Sequence, residues 1–325
     1  MHCELAIPGL LAAARQLRLP SAELLLARGR RSEPPAQPLE GWLAEGFGLD
    51  SASFPAGALT LLGRGIEPGG GRWARADPVH LHLLRDRIAL IPAEAFDVTA
   101  DEAQALCGAL NAHFAGRLRL DALEPRRWCA RLDERGELAA EASPAALAGQ
   151  DLRPGGPGDA LANEMQMALH GHPVNEAREA RGAPAVNGVW LWGGGAAPKE
   201  AHSAWDSVTA DDPAALGLAR LAAQRGRALP ASAEALLERL PEEGRHLVLL
   251  DGLRVPLALG ETEALARGLE ELEQRWFQPL LAALRAGRIG MLTVHVPDAG
   301  RAFETIRGDL RRFWRRPRPL ATMAP

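Results

Sequence analysis

Apolar and polar positions along this chain follow two periods, and the change of period divides it. CELAIPGLL (3–11) opens as an apolar run around Glu4 and predicts a buried strand turning at Pro8-Gly9. LLAAARQLRLPSAELLLARG (10–29) has helical spacing interrupted by Pro20. RSEPPAQP (31–38) predicts a loop, and PLEGWLAEGFGL (38–49) a short helix ahead of FPAGALTLLGRG (54–65). GIEPGGGR (65–72) is the sharpest break in the first third and predicts a hinge.

A block with strand character follows. WARADPVHLHLLRDR alternates, RIALIPAEAF continues it, and RRWCARLD reads as a further strand. TADEAQALCGALNAHFAG predicts a helix, with Thr99 as N-cap, Glu102 three residues on, and Gly116 closing it. This strand-strand-helix-strand block predicts a small α+β domain over 67–155, ended by a second hinge at DLRPGGPGD (151–159).

Beyond it the pattern alternates helix and strand. LANEMQMALHGH and AALGLARLAAQRG read as helices, and ETEALARGLEELEQRWFQPLLAALRAG as one long helix. AVNGVWLWGGG, RHLVLLDG and IGMLTVHVPDAG read as core strands. The expectation is a parallel α/β sheet flanked by helices, built from 1–66 and 156–325, with 67–155 inserted. Such sheets gather ligands at the C-terminal ends of their strands. The expected ends are Gly193–Gly195, Asp251 and Asp298.

Composition limits the function classes. The chain has 325 residues, 47% hydrophobic and 24% charged, enough for a sizeable core. A net charge of −4 gives no general attraction to nucleic acid or anionic lipid. Cys3, Cys107 and Cys129 have neither metal-ligand nor disulfide-framework spacing, which predicts buried thiols in a reducing, cytoplasmic compartment. The N-terminal run lacks a basic leader and carries Glu4, so it reads as strand and helix and not as a signal peptide. No apolar stretch approaches membrane-spanning length. Neither a nucleic-acid partner nor a membrane partner is expected.

Several segments carry candidate chemistry. In HPVNEAREARG, His172, Asn175 and Arg178 recur at a spacing of three and would share a face at a helix N-terminus, with Pro173 in the first turn. They suit recognition of an oxyanion, or, more plainly, a helix cap and a solvated arginine. Trp190 and Trp192 share a strand face, and the glycines after them allow close backbone approach to a ligand or simple core packing. His80 and His82, with Asp77 nearby, resemble two metal ligands without an evident third. Asp251 and Asp298 are weak metal candidates at strand ends, or ordinary helix caps. RRFWRRPRP (311–319) is basic and aromatic; it could touch phosphates, or, more plainly, it is the exposed end of a last helix with Phe313 and Trp314 packed inward and its arginine stems snorkelling.

Taken together, HPVNEAREARGAPAVNGVWLWGGGAAP, GRWARADPVHLHL, DVTADEAQALCGALNAHF and LPSAELLLARG resemble the archaeal-type cofactor-independent phosphoglycerate mutases of the alkaline phosphatase superfamily. Still more alike are bacterial proteins named as phosphoglycerate mutases or RpfE-type regulatory proteins. The resemblance implies an alkaline-phosphatase-like core with an inserted α+β domain. It puts Arg75 on an arginine that the family uses around its substrate. The chain departs from the family where the chemistry lies. The family's acidic strand end is LAIPGLL here, its nucleophilic serine is missing from PLEGWLAEGFG, and its Asp-x-x-x-His cluster keeps Asp251 alone. Its later Asp-His pair becomes Asp298-Ala299, and a Tyr-Arg-His motif becomes Trp128-Cys129-Ala130. Phosphoryl transfer through a serine between two metals needs those groups.

The expected function is therefore that of a metal-free, catalytically degenerate relative. It would bind a small phosphorylated or carboxylated metabolite, or a protein partner, in a regulatory role. The candidate ligand-binding residues are Arg75, His172, Asn175, Arg178, Asn187, Trp190 and Trp192. The alternative is an active mutase or phosphotransferase that holds Mn or Mg with rearranged ligands.

Overall fold

The computed structural model describes residues 1–15, 17–52, 54–83, 88–132, 142–152 and 159–324. The expected hinge at 151–159 lies partly outside these residues, and so do Leu84 and Asp133. The described strands are β1 (His2–Ala6), β2 (Arg30–Ser32), β3 (Arg72–Leu83), β4 (Ile88–Pro92), β5 (Arg119–Glu124), β6 (Arg127–Leu132), β7 (Asp151–Leu152), β8 (Gly188–Gly195), β9 (Ser207–Thr209), β10 (Arg225–Arg227), β11 (Arg245–Leu249), β12 (Met291–Val296) and β13 (Arg301–Ile306). The chain forms two compact units, residues 1–52 with 200–325, and residues 53–199.

The first unit is an α/β layer structure. Its sheet runs β10-β9-β11-β1-β12-β13-β2, with β10 through β12 parallel and β13 antiparallel to both its neighbours. β1 lies between β11 and β12, in register from His2 opposite Arg245 to Ala6 opposite Leu249. On one face Cys3, Leu5, Val248, Leu292 and Val294 are buried against helices Pro20–Arg28, Ala233–Leu237 and Gln278–Ala286. Burial on both faces explains why β1, β11 and β12 read as largely apolar runs.

The expected long helix over 261–287 is helical throughout, but it contains a π turn at Leu272–Phe277 between Thr262–Glu271 and Gln278–Ala286. The wider turn buries Leu272, Glu273, Trp276 and Phe277 together. Glu273 accepts from the backbone N–H of Ser21 (2.8 Å), capping the start of helix Pro20–Arg28. A buried carboxylate at this helix N-terminus satisfies donors that would otherwise be orphaned.

The second unit holds an antiparallel sheet, β5-β6-β3-β4-β7, with β8 also paired to β3. This corrects one expectation. β8, the VWLWGGG strand, is not a parallel core strand, and Gly193–Gly195 do not end one. It runs antiparallel to β3 from Gly188 opposite Val79 to Gly195 opposite Trp73. A short apolar run bounded by glycine has the same signature in either setting. That pairing, with helix Ala56–Gly63 packed on β3, accounts for a unit of 53–199 around the expected 67–155.

Helix Ala100–His113 begins with the expected reciprocal cap. Glu102 N–H donates to Thr99 Oγ1 (3.2 Å) and Thr99 N–H to the Glu102 carboxylate (2.9 Å). Helix Ala56–Gly63 rests directly on β3: a Cβ on Gly57 would come 2.4 Å from the carbonyl carbon of Ala74, so only glycine fits. All three cysteines are free and buried. Burial pushes each thiol up to about 12. No helix among the described residues is long and apolar enough to cross a membrane.

Candidate functional site

In the second unit the nominated residues are taken up by the fold. His172 caps helix Pro173–Ala180, its Nδ1 accepting from the Val174 N–H (3.2 Å). Asn175 is buried and clamps three segments. Its amide donates to the carbonyls of Leu169 and Val186 (both 3.0 Å), and its oxygen accepts from the Val186 N–H (2.9 Å). Arg178 is 0% exposed. Its guanidinium donates to Pro184 O (2.7 Å), Glu102 (2.7 Å) and Asp97 O (2.8 Å), and it lies over the Phe96 ring.

Asn187 pairs with both backbone groups of Leu81, and Trp190 donates its indole N–H to Ala142 O (3.0 Å). The expected shared face of Asn175 and Arg178 exists, but it points inward. A solvent-borne oxyanion does not reach that guanidinium.

Arg75 and Trp192 form a second buried network. Arg75 sends Nε (2.9 Å) and Nη2 (2.7 Å) to the same oxygen of Asp77, and Trp192 donates to the other (2.7 Å). The Arg75 guanidinium also lies 5.4 Å from the Trp192 ring centroid. Asp77 is thus committed to Arg75 and not to the nearby histidines. His80 and His82 lie side by side with ring centroids 6.2 Å apart, and His80 Nδ1 contacts Ala185 O (2.9 Å). Among the described residues no three of His, Cys, Asp or Glu gather into a group that could hold a metal ion.

Two charged arrangements in the first unit were not anticipated. One surrounds Glu4, 2% exposed on β1. Its carboxylate accepts from Arg245 Nε on β11 (2.8 Å) and from His295 Nε2 on β12 (3.0 Å), with His2 Nδ1 3.4 Å away. Trp42 stacks over His295 (5.2 Å) and against Trp205 (5.6 Å). Burial alone would raise the Glu4 carboxyl. The bonds from His295 and Arg245 and the charge of His2 outweigh it and bring it down to about 2.

The other lies at the C-terminal ends of the parallel strands. Three neighbouring strands supply one wall of a cleft of about 540 Å³: Leu229–Ala231 after β10, Asp211 after β9, and Leu250–Leu253 after β11. Gly268 and the π turn supply the other, through Glu271, Leu272, Arg275 and Trp276. Leu250, Leu253, Leu272 and Trp276 are buried and make an apolar floor, while Asp211, Glu271 and Arg275 stand exposed at the mouth. The volume suits a small molecule, and π turns recur at functional positions in helices.

Beside the cleft, Arg254 donates to Glu40 (2.9 Å) at the start of helix Arg254–Leu259. Burial works against its charge, but the carboxylates of Glu40, Asp251 and Asp212 prevail and hold it above its ordinary value. The two expected strand-end acids thus have separate surroundings. Asp251 lines the cleft next to a fixed cation. Asp298 Oδ1 accepts from the Gly9 N–H (2.9 Å), fastening the left-handed turn that follows β1. The signals in sequence for this site were Asp-Asp after β9 and Asp-Gly-x-Arg after β11; nothing in the sequence marked the π turn.

No family model matches the chain, and no curated protein matches it either. Its structure is similar to that of the PH0037 protein from Pyrococcus horikoshii, with a TM-score of 0.54 and 14% identity, over 94% of this chain and 87% of that one. A cofactor-independent phosphoglycerate mutase from Thermoplasma acidophilum DSM 1728 aligns with a TM-score of 0.41 and 16% identity, over 94% of this chain and 90% of that one. The first likeness is one of fold: a mixed α/β chain with a mostly parallel sheet flanked by helices.

Two measurements check these roles. Arg178→Ala takes the buried guanidinium away from the carbonyls of Pro184 and Asp97 and from Glu102, which keeps Arg181 and the Thr99 N–H, and it should cost about 2–3 kcal/mol of stability in urea unfolding. An unchanged midpoint would contradict a structural role. Glu4 has a folded-state value near 2 against an ordinary 4.5. Its contribution is therefore complete above about pH 4.5 and drains away as pH falls towards 2. Linkage makes that contribution about 3 kcal/mol. Glu4→Gln should lose most of it at pH 7 and narrow the gap to wild type near pH 2. Equal stability at pH 7 would refute the assignment.

Proposed function

We propose that this chain is a phosphoglycerate-mutase-like protein of the alkaline-phosphatase type that works by binding a small molecule, in a regulatory role, and not by phosphoryl transfer. The binding site in this reading is the cleft at the ends of β9, β10 and β11, where open α/β sheets receive ligands. The two-unit organisation, an α/β unit interrupted by an α+β unit, is read as that family's core and insert.

The observation that carries the reading is Arg254. The mutases need acids and histidines at the strand ends to hold two metal ions, and a serine to carry the phosphoryl group. Here a guanidinium sits in the field of Glu40, Asp251 and Asp212 and supplies the positive charge those acids require. No histidine joins them as a ligand group among the described residues. These residues do not fit a pair of metal ions.

The lining also bears on the ligand. Asp211 and Glu271 stand exposed at the mouth of the cleft with Arg275, over an apolar floor with Trp276, while Asp251 is matched by Arg254 beside it. That composition suits a ligand with a cationic head and an apolar body. Arg75 and Arg178, first nominated to grip a phosphorylated or carboxylated metabolite, are spent on Asp77 and Glu102 inside the second unit.

Purified protein is expected to show no conversion of 3-phosphoglycerate to 2-phosphoglycerate with Mn or Mg added. Thermal shift should respond to an amine such as agmatine and not to 3-phosphoglycerate. A saturating ligand at a hundred times its Kd would add about 2.7 kcal/mol. Asp211→Asn with Glu271→Gln should abolish that shift. Mutase turnover would overturn the reading. A shift by 3-phosphoglycerate that survives the double substitution would overturn the choice of cleft.

A further inference from the structure

Residues 307–318 carry six arginines and a single acid, Asp309, in a chain whose net charge is −4. The segment was expected to end a helix with Phe313 and Trp314 packed inward. Instead it leaves a 3-10 turn at Arg307–Arg311 and runs as a loop, and both rings face out, Phe313 78% and Trp314 66% exposed.

The loop is held in place. Asp309 pairs with Arg312 (2.8 Å) and accepts from the Ile306 N–H (3.1 Å). Arg312 and Arg315 donate to the carbonyls of Arg28 (3.2 Å) and Gly29 (2.6 Å), and Arg28 donates back to Leu310 O. Leu320 and Met323, just downstream, are buried. Two adjacent aromatic rings are thus presented on a fastened loop, with exposed Arg311, Arg316 and Arg318 around them.

We propose that this loop is a docking site for an anionic lipid surface, with Phe313 and Trp314 seated in the headgroup region and the arginines on lipid phosphates. Aromatic side chains favour the membrane–water interface, and clustered arginines are drawn to acidic headgroups even when the whole protein is weakly acidic. The ring geometry selects this occupant over single-stranded nucleic acid. The two rings meet edge to face, 5.2 Å apart at 81°. Successive bases stack on parallel platforms, which perpendicular neighbours do not provide. A lipid interface imposes no such constraint. The protein would lie on the surface, since no helix among the described residues is long and apolar enough to span it.

The test is co-sedimentation of the full chain with vesicles of phosphatidylcholine alone, and with one third phosphatidylglycerol. The anionic vesicles should pellet about tenfold more protein, with the excess lost at high salt. Phe313→Ser with Trp314→Ser should remove that binding, and so should Arg311→Glu with Arg316→Glu and Arg318→Glu. All five side chains are exposed, so melting temperatures should match wild type. No preference for anionic vesicles would overturn the proposal, as would undiminished binding by both variants. So would binding of an oligouridylate, or self-association lost in Trp314→Ser, without vesicle binding.

Discussion

The Glu4 carboxylate takes hold of one side chain on each strand beside β1: Arg245 on β11 and His295 on β12. These partners lie 241 and 291 residues away along the chain. The central three strands of the sheet can therefore form only when the two ends of the sequence meet. A buried carboxylate without those partners would be costly, so the interaction favours this strand order over other pairings of similar apolar strands. The opposite face of the same strands carries the apolar core, with Cys3 and Leu5 buried among Val248, Leu292 and Val294. Charge on one face and close packing on the other together fix the register.

With β1 set, the ends of its neighbours follow. Asp298 after β12 secures the turn at Gly9, while Asp251 after β11 turns into the cleft near Arg254. The π turn shapes the opposite wall. It lets Glu273 cap a helix on the core side while Glu271, Leu272, Arg275 and Trp276 line the cleft. One local change of helical pitch thus serves both packing and pocket. The resulting space is acid-rimmed and apolar-floored, with the Arg254–Glu40 pair beside it.

Much of the fold was legible in the sequence. β1, β11 and β12 read as largely apolar runs, and the Thr99–Glu102 cap marks its helix. β2, β9 and β10 have three residues each, too few for any period to register. β8 was assigned to the wrong sheet because Val-Trp-Leu-Trp between glycines reads alike in parallel and antiparallel surroundings. The site was less legible. His172, Asn175 and Arg178 have the residue types of an anion site, but Asn175 and Arg178 donate to backbone carbonyls and His172 accepts from the Val174 N–H. Burial, which spacing does not encode, separates the two roles. Phe313 and Trp314 show the converse, since an aromatic pair in a basic run gives no sign of which way it faces.

The central claim is that the Arg254 guanidinium supplies the positive charge beside Glu40, Asp251 and Asp212. The most direct measurement is an anomalous difference map from crystals grown with manganese. The account predicts no peak at the ends of β9 and β11, with the Arg254 guanidinium on Glu40. A manganese peak coordinated by Asp251, with Arg254 displaced, would contradict it.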